Sequence, residues 1–158
     1  MRLLKDKTKI LKILMVAFLS LGVLGCKQYV YDTKYQIEDN AIFNQSEEEY
    51  LVYFYKDNCP YCEKSFETIE KYLLSDVEIK LYVCDITNSS IAKIYEGDNG
   101  QGTEGKYFVD GAQDYNELYI AGAPSIIKIK NNESMFIASG RKNVIAYIEQ
   151  LLQENKTT

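Results

Sequence analysis

Leu51-Val52-Tyr53-Phe54-Tyr55-Lys56-Asp57-Asn58-Cys59-Pro60-Tyr61-Cys62 is the stretch on which the reading of this 158-residue chain turns. Its first five residues are apolar or aromatic without alternation, the pattern of a central strand covered on both faces. After Cys62 the pattern changes: Phe66, Ile69 and Leu73 recur at helical spacing, with Glu63, Lys64, Glu67 and Glu70 between them. A strand over Tyr50–Tyr55 and a helix from about Cys62 to Leu74 therefore meet at two thiols three residues apart. Such a pair can close into a disulfide with little backbone movement, and can open again. The first turn of a helix leaves backbone N–H groups without intrahelical partners, and its dipole favours negative charge, so a thiol there ionises more readily. Cys59 is accordingly expected to be the thiolate nucleophile. Pro60 suits the first helical turn, because its φ is already helical and the N–H it lacks would have had no partner. Cys62, one turn in, is expected to resolve the mixed disulfide that Cys59 forms with a substrate.

Two blander readings compete. A tetrahedral zinc site wants four ligands, and the chain offers no His and only two further cysteines. A static disulfide closing so small a loop would restrain the unfolded chain little. The reading adopted has no metal and no dissociable cofactor, the redox-active group being the Cys59–Cys62 disulfide itself.

The N-terminus bears on location. Arg2, Lys5, Lys7, Lys9 and Lys12 face a single acid, Asp6, and precede the apolar run Ile13 to Leu24. That is the pattern of a signal sequence, here residues 1–25, and the run is shorter than the roughly 20 residues that span a bilayer. Val23-Leu24-Gly25-Cys26 resembles the bacterial lipobox, which implies lipid attachment at Cys26 and anchorage to the outer face of a bacterial cell membrane. Without residues 1–25 the chain has 133 residues, 22 acidic against 13 basic side chains and a formal charge of −9. This length suits one domain, and the charge argues against nucleic acid and against adsorption to anionic headgroups. Outside the cytoplasm no glutathione pool keeps thiols reduced. The expected partners are therefore thiols and disulfides of exported proteins, together with a membrane or extracytoplasmic redox partner.

Residues 26–46 are polar with scattered Tyr and read as a tether, with a short irregular or strand segment around Tyr29 to Ile37. A domain over 47–154 follows, with a fraying end at 155–158. Val77 to Ile86 reads as a second strand, making Tyr50 to Ile86 a βαβ unit. Ser90 to Tyr95 could form a helical turn or two. Ser125–Lys130 and Ser134–Ala138 read as a hairpin around Asn131-Asn132-Glu133, and Asn143–Gln153 as a closing amphipathic helix. Between lies an insertion, about 87–120, whose residues 100–105 spell Gly-Gln-Gly-Thr-Glu-Gly. The string matches a dinucleotide fingerprint formally but lacks the preceding strand and following helix, so it reads as a flexible loop bordering the site.

This order, with Cys-x-x-Cys at the first strand-to-helix junction, resembles the thioredoxin-like fold: α/β, a central mixed sheet flanked by helices. Val83-Cys84-Asp85 resembles the family's strand ending in Asp, Gly122-Ala123-Pro124-Ser125-Ile126-Ile127 its cis-proline segment, and Gly140 its glycine before the last helix. Cys-Pro-Tyr-Cys is the glutaredoxin spelling of the motif, while the export signal makes thioredoxin-like lipoproteins, including bacteriocin transport accessory proteins, the nearer resemblance. It implies a cis Pro124 facing Cys59, and substrate contacts at Pro60, Tyr61, Ala123 and Pro124. Two departures stand out: Tyr53 occupies the place of the family's buried Asp, and Asn58 that of its Trp. Cys84 reads as a packed strand residue. The resulting expectation is a lipid-anchored thiol-disulfide oxidoreductase of open direction; the alternative is an accessory or binding module in an export or immunity complex that uses its cysteines little.

Overall fold

The computed structural model describes residues 29–92 and 109–157. The signal-like residues 1–25, Cys26 and the glycine string 100–105 lie outside the described residues. Four strands form one mixed sheet: β1 (Glu49–Tyr55), β2 (Lys80–Asp85), β3 (Ser125–Lys130) and β4 (Glu133–Ser139), in the order β2-β1-β3-β4. β1 runs parallel to β2 and antiparallel to β3, which in turn pairs antiparallel with β4. Between β1 and β2 lie α1 (Pro60–Glu63) and α2 (Phe66–Leu73), and the chain closes with α3 (Arg141–Thr157). The α/β class and the central mixed sheet flanked by helices read from the sequence are the ones observed.

β1 lacks alternation because both its faces are buried. Leu51 and Tyr53 enter a cluster with Ile69, Tyr72 and Leu73 of α2 and Val144, Ile148 and Leu152 of α3. Tyr50, Val52 and Phe54 enter a second one with Ile42, Cys84, Ile91, Leu118 and Ile127. The β3–β4 turn is made by Asn131 and Asn132, both with positive φ (51° and 61°), which asparagine tolerates and which matches the strands' twist.

Of the boundaries that differ from the sequence reading, three bear on how the chain packs. Residues 29–46 are not a free tether: Tyr31 and Ile42 are buried, and Ile37 N–H donates to Val83 O at 2.9 Å, so the segment adds a bridge beside β2. Only isolated side chains of this segment are buried, so its composition looked like that of a linker. The described parts of the insertion, 87–92 and 109–120, pack as well: Ile91 is buried in the first. Val109, Leu118 and Ile120 are buried, and Gly111 N–H donates to Ser134 O at 2.8 Å. Lastly, α3 reaches Thr157, past the expected fraying point. No helix among the described residues is long and apolar enough to cross a membrane.

Burial leaves several acidic protons expensive to remove. It pushes the Cys84 thiol up to about 12 from 9.0, and the Tyr55 and Tyr82 phenols up to about 12 from 10.0. The unfolded chain loses these protons first, so their contribution to stability is complete below about pH 9 and falls away between about pH 9 and 12. Urea midpoints measured upward from neutral pH are expected to hold level and then drop across that window; a level profile through it would contradict the burial described.

Candidate active site

β1 delivers the chain to the site through a braced turn. Asp57 N–H donates to Thr87 Oγ1 at 2.8 Å, while the Asp85 carboxylate accepts from both the Thr87 hydroxyl and, at 2.8 Å, the Thr87 N–H. The Asp that ends β2 thus holds the turn ending β1. Asn58 follows with φ 53°, in the left-handed region that asparagine visits more easily than other non-glycine residues. Its place before Cys59 is a backbone requirement, and the Asp57-Asn58 pair was a legible turn signal for it.

Cys59 is the N-cap of α1, its Sγ accepting from Cys62 N–H at 3.2 Å, with Pro60 in the first turn. The two cysteines form a disulfide, their Cα atoms 5.2 Å apart. Cys62 is 6% exposed whereas Cys59 is half-buried, so Cys59 is the sulfur a partner reaches first. The Cys62 N–H is thus aimed at the Cys59 sulfur, a placement that favours negative charge on that atom over the same atom without a donor. The helix does not run through from Cys62 to Leu74 as expected. Ser65 N–H bonds to Cys62 O at 3.1 Å, and the Ser65 hydroxyl donates to Tyr61 O at 2.8 Å and approaches Cys62 O at 3.2 Å. A serine hydroxyl competing for these carbonyls tightens the turn, so α1 ends and α2 begins anew at Phe66.

Opposite Cys59 stands the start of β3. The Ala123–Pro124 peptide is cis, and Ala123 O lies 3.7 Å from Cys59 Sγ. Two hydrogen bonds frame this corner: Ser125 Oγ to Gly122 O at 2.7 Å, and Gly140 N–H to Pro124 O at 2.9 Å. Tyr61 projects beside it, 61% exposed, and Pro60 is exposed on the same turn. Of the residues singled out from the sequence, Cys59, Pro60, Tyr61, Cys62, Ala123 and Pro124 come together here. Cys84 does not join them: it is fully buried in the second cluster, its thiol held neutral by burial.

Tyr53 is fully buried, with its hydroxyl 3.4 Å from Ser65 Oγ. Burial raises its phenol above the ordinary value, so at neutral pH it carries no charge and stands as a hydrogen-bonding group where a carboxylate was absent. Ser65 was not found from the sequence, since a lone Ser beside a helical pattern carries no signal until its hydroxyl is seen bonding backward. Among the described residues no group of three or more metal-ligating side chains comes together.

No protein-family model and no curated protein matches the chain. Among solved structures it is similar to Chlamydomonas reinhardtii thioredoxin f2, at 16% identity and a TM-score of 0.45, covering 73% of this chain and 93% of that one. So distant a likeness carries no argument about chemistry. The local geometry does: a disulfide at a strand-to-helix junction, one sulfur accessible and the other buried, can undergo thiol-disulfide exchange.

The Asn58 backbone is open to a direct test. Asn58→Gly is expected to leave stability nearly unchanged, and Asn58→Val to cost about 1–2 kcal/mol, because a β-branched side chain resists a left-handed φ. Urea unfolding of the two variants distinguishes this from an indifferent surface position.

Proposed function

We propose that the chain is a thiol-disulfide oxidoreductase that works outside the cytoplasm, tethered to the bacterial membrane through a lipid on Cys26, and exchanging disulfides with exported proteins. The observation that carries the redox part is the juxtaposition of Cys59 Sγ with the Ala123 carbonyl, 3.7 Å away at the mouth of a cis-proline corner. A sulfur so placed lies beside a backbone edge along which a substrate strand can lie.

Acting as a reductant, the Cys59 thiolate attacks one sulfur of a substrate disulfide, breaking that bond, forming a mixed disulfide and releasing the other sulfur as a thiolate. Cys62 then gives up its proton, and its sulfur attacks Cys59 Sγ. The mixed disulfide breaks, the Cys59–Cys62 bond forms and the second substrate thiolate leaves, so two electrons have passed to the substrate. A redox partner in the membrane or outside it then supplies two further electrons, which with two protons convert the Cys59–Cys62 disulfide back to the dithiol. The same steps reversed oxidise a substrate dithiol, and the partners' relative potentials set the direction. The location rests on the basic and apolar N-terminal pattern and on Val23-Leu24-Gly25-Cys26. Kinship with the bacteriocin transport accessory proteins belongs to the same proposal.

Two experiments test the two parts separately. Cys59→Ser is expected to abolish reduction of an added protein disulfide with dithiothreitol as donor, and Cys62→Ala to leave Cys59 linked to its substrates, recoverable by non-reducing electrophoresis and mass spectrometry. Full activity in Cys59→Ser would instead favour an accessory module with idle cysteines. Metabolic labelling with a radioactive fatty acid is expected to mark the wild-type chain in a lipoprotein-processing bacterium and to fail for Cys26→Ser; label retained in that variant overturns the anchor.

A further inference from the structure

Beside the accessible sulfur lies a groove of about 380 Å³ lined by Tyr61, Ala123, Pro124, Gly140, Arg141 and Lys142. It is continuous with the exchange site, since the Ala123 whose carbonyl touches Cys59 Sγ forms part of its wall. Gly140 keeps one side open: its φ is +78°, and a Cβ built there meets nothing within 4 Å.

The charge in this groove runs against two trends. The chain as a whole is acidic, with 23 acidic and 18 basic side chains, yet the wall contributed by α3 is cationic. Arg141 and Lys142 also begin α3, whose first turn holds no acid. Helix N-termini favour carboxylates and disfavour cations, so the pair stands where it weakens its own helix. Neither residue recovers the loss inside the fold, for among the described residues neither makes an ion pair or a side-chain hydrogen bond. A local rule broken without internal compensation, on the wall of a groove that shares Ala123 with the contact to Cys59 Sγ, is the pattern of a site shaped for something external.

We propose that this groove selects substrate segments that carry an acidic side chain next to the reacting cysteine, with Arg141 and Lys142 receiving the carboxylate while Tyr61 covers the segment's apolar part. The inference rests on the redox reading above and adds to it the class of substrate. The occupant is an extended segment of a partner protein: the groove shares Ala123 with the Cys59 contact, and its cationic wall complements an acid carried by that segment. Charge at this wall affects encounter and docking, and leaves the sulfur chemistry of Cys59 and Cys62 as it is.

The test uses the full chain in a detergent with uncharged headgroups, reduced beforehand, against disulfide-linked peptides that differ only in having Glu, Gln or Lys beside the cysteine. Each rate is divided by the rate of the same peptide with free dithiothreitol, which removes the peptides' own differences in reactivity. The Glu peptide is expected to react about fivefold faster than the Lys peptide at about 0.01 M salt, the advantage shrinking towards unity at about 1 M. Arg141→Gln combined with Lys142→Gln is expected to abolish the preference, and Arg141→Glu with Lys142→Glu to reverse it. These changes relieve the cations' conflict with the helix dipole, so misfolding does not confound them. Hydroxyethyl disulfide, small and uncharged, serves as reference and is expected to be reduced equally by all variants. If the wild type neither reduces it nor, once oxidised, oxidises an added dithiol, the redox reading falls. If it is reduced while the Glu and Lys peptides react alike, or while the preference survives in the variants, the proposed selection is overturned and the redox reading stands.

Discussion

The pairing of Phe54 with Ser125, where antiparallel β1 and β3 meet at one end of the sheet, is the constraint on which the site depends. It sets the last residues of β1, which lead to Cys59, beside the first of β3, which follow Pro124. A slip of one residue would turn every β1 side chain to the opposite face. The register cannot slip, because both faces are committed: Leu51 and Tyr53 to the cluster under the helices, Tyr50, Val52 and Phe54 to the cluster on the other side. Double-sided burial of one strand thereby holds two loops, distant in sequence, at 3.7 Å from sulfur to carbonyl.

Around that contact the backbone is held by short polar side chains. Thr87, braced by Asp85, fixes the turn before Asn58; Ser125 fixes the corner before Pro124; Ser65 closes the turn after Cys62. Each occupies backbone groups that the sheet and helices leave without partners at their ends, which is what a site built at strand termini requires. Tyr53 completes the set from below through Ser65. The buried Cys62 thus has neutral hydroxyl groups behind it.

Much of this was legible in the sequence. The unbroken apolar run to Tyr55, the helical spacing of Ile69 and Leu73 and the Asn131-Asn132 turn gave strand, helix and hairpin, because each pattern reflects local geometry alone. The Cys59–Cys62 pair was legible for the same reason: a spacing of three at a helix start brings two sulfurs together whatever the rest of the chain does. The failures were of another kind. Residues 29–46 looked like a tether because only scattered side chains, such as Tyr31 and Ile42, are buried, and nothing local distinguishes these from exposed ones. Ser65 interrupted the helix through bonds to carbonyls behind it, a competition that periodicity does not register.

The sequence by itself determined the dithiol, its position at a helix start, the two-sided character of β1 and the α/β class, since these follow from residue type and spacing within a dozen positions. Only the tertiary structure decided that Ala123 and Pro124 face Cys59, that Cys62 is the buried sulfur, that Cys84 lies apart from both, and that Arg141 and Lys142 share a groove with Tyr61. These relations join residues far apart in the chain. They exist only once the register between β1 and β3 is set by burying apolar side chains on both sides of the sheet.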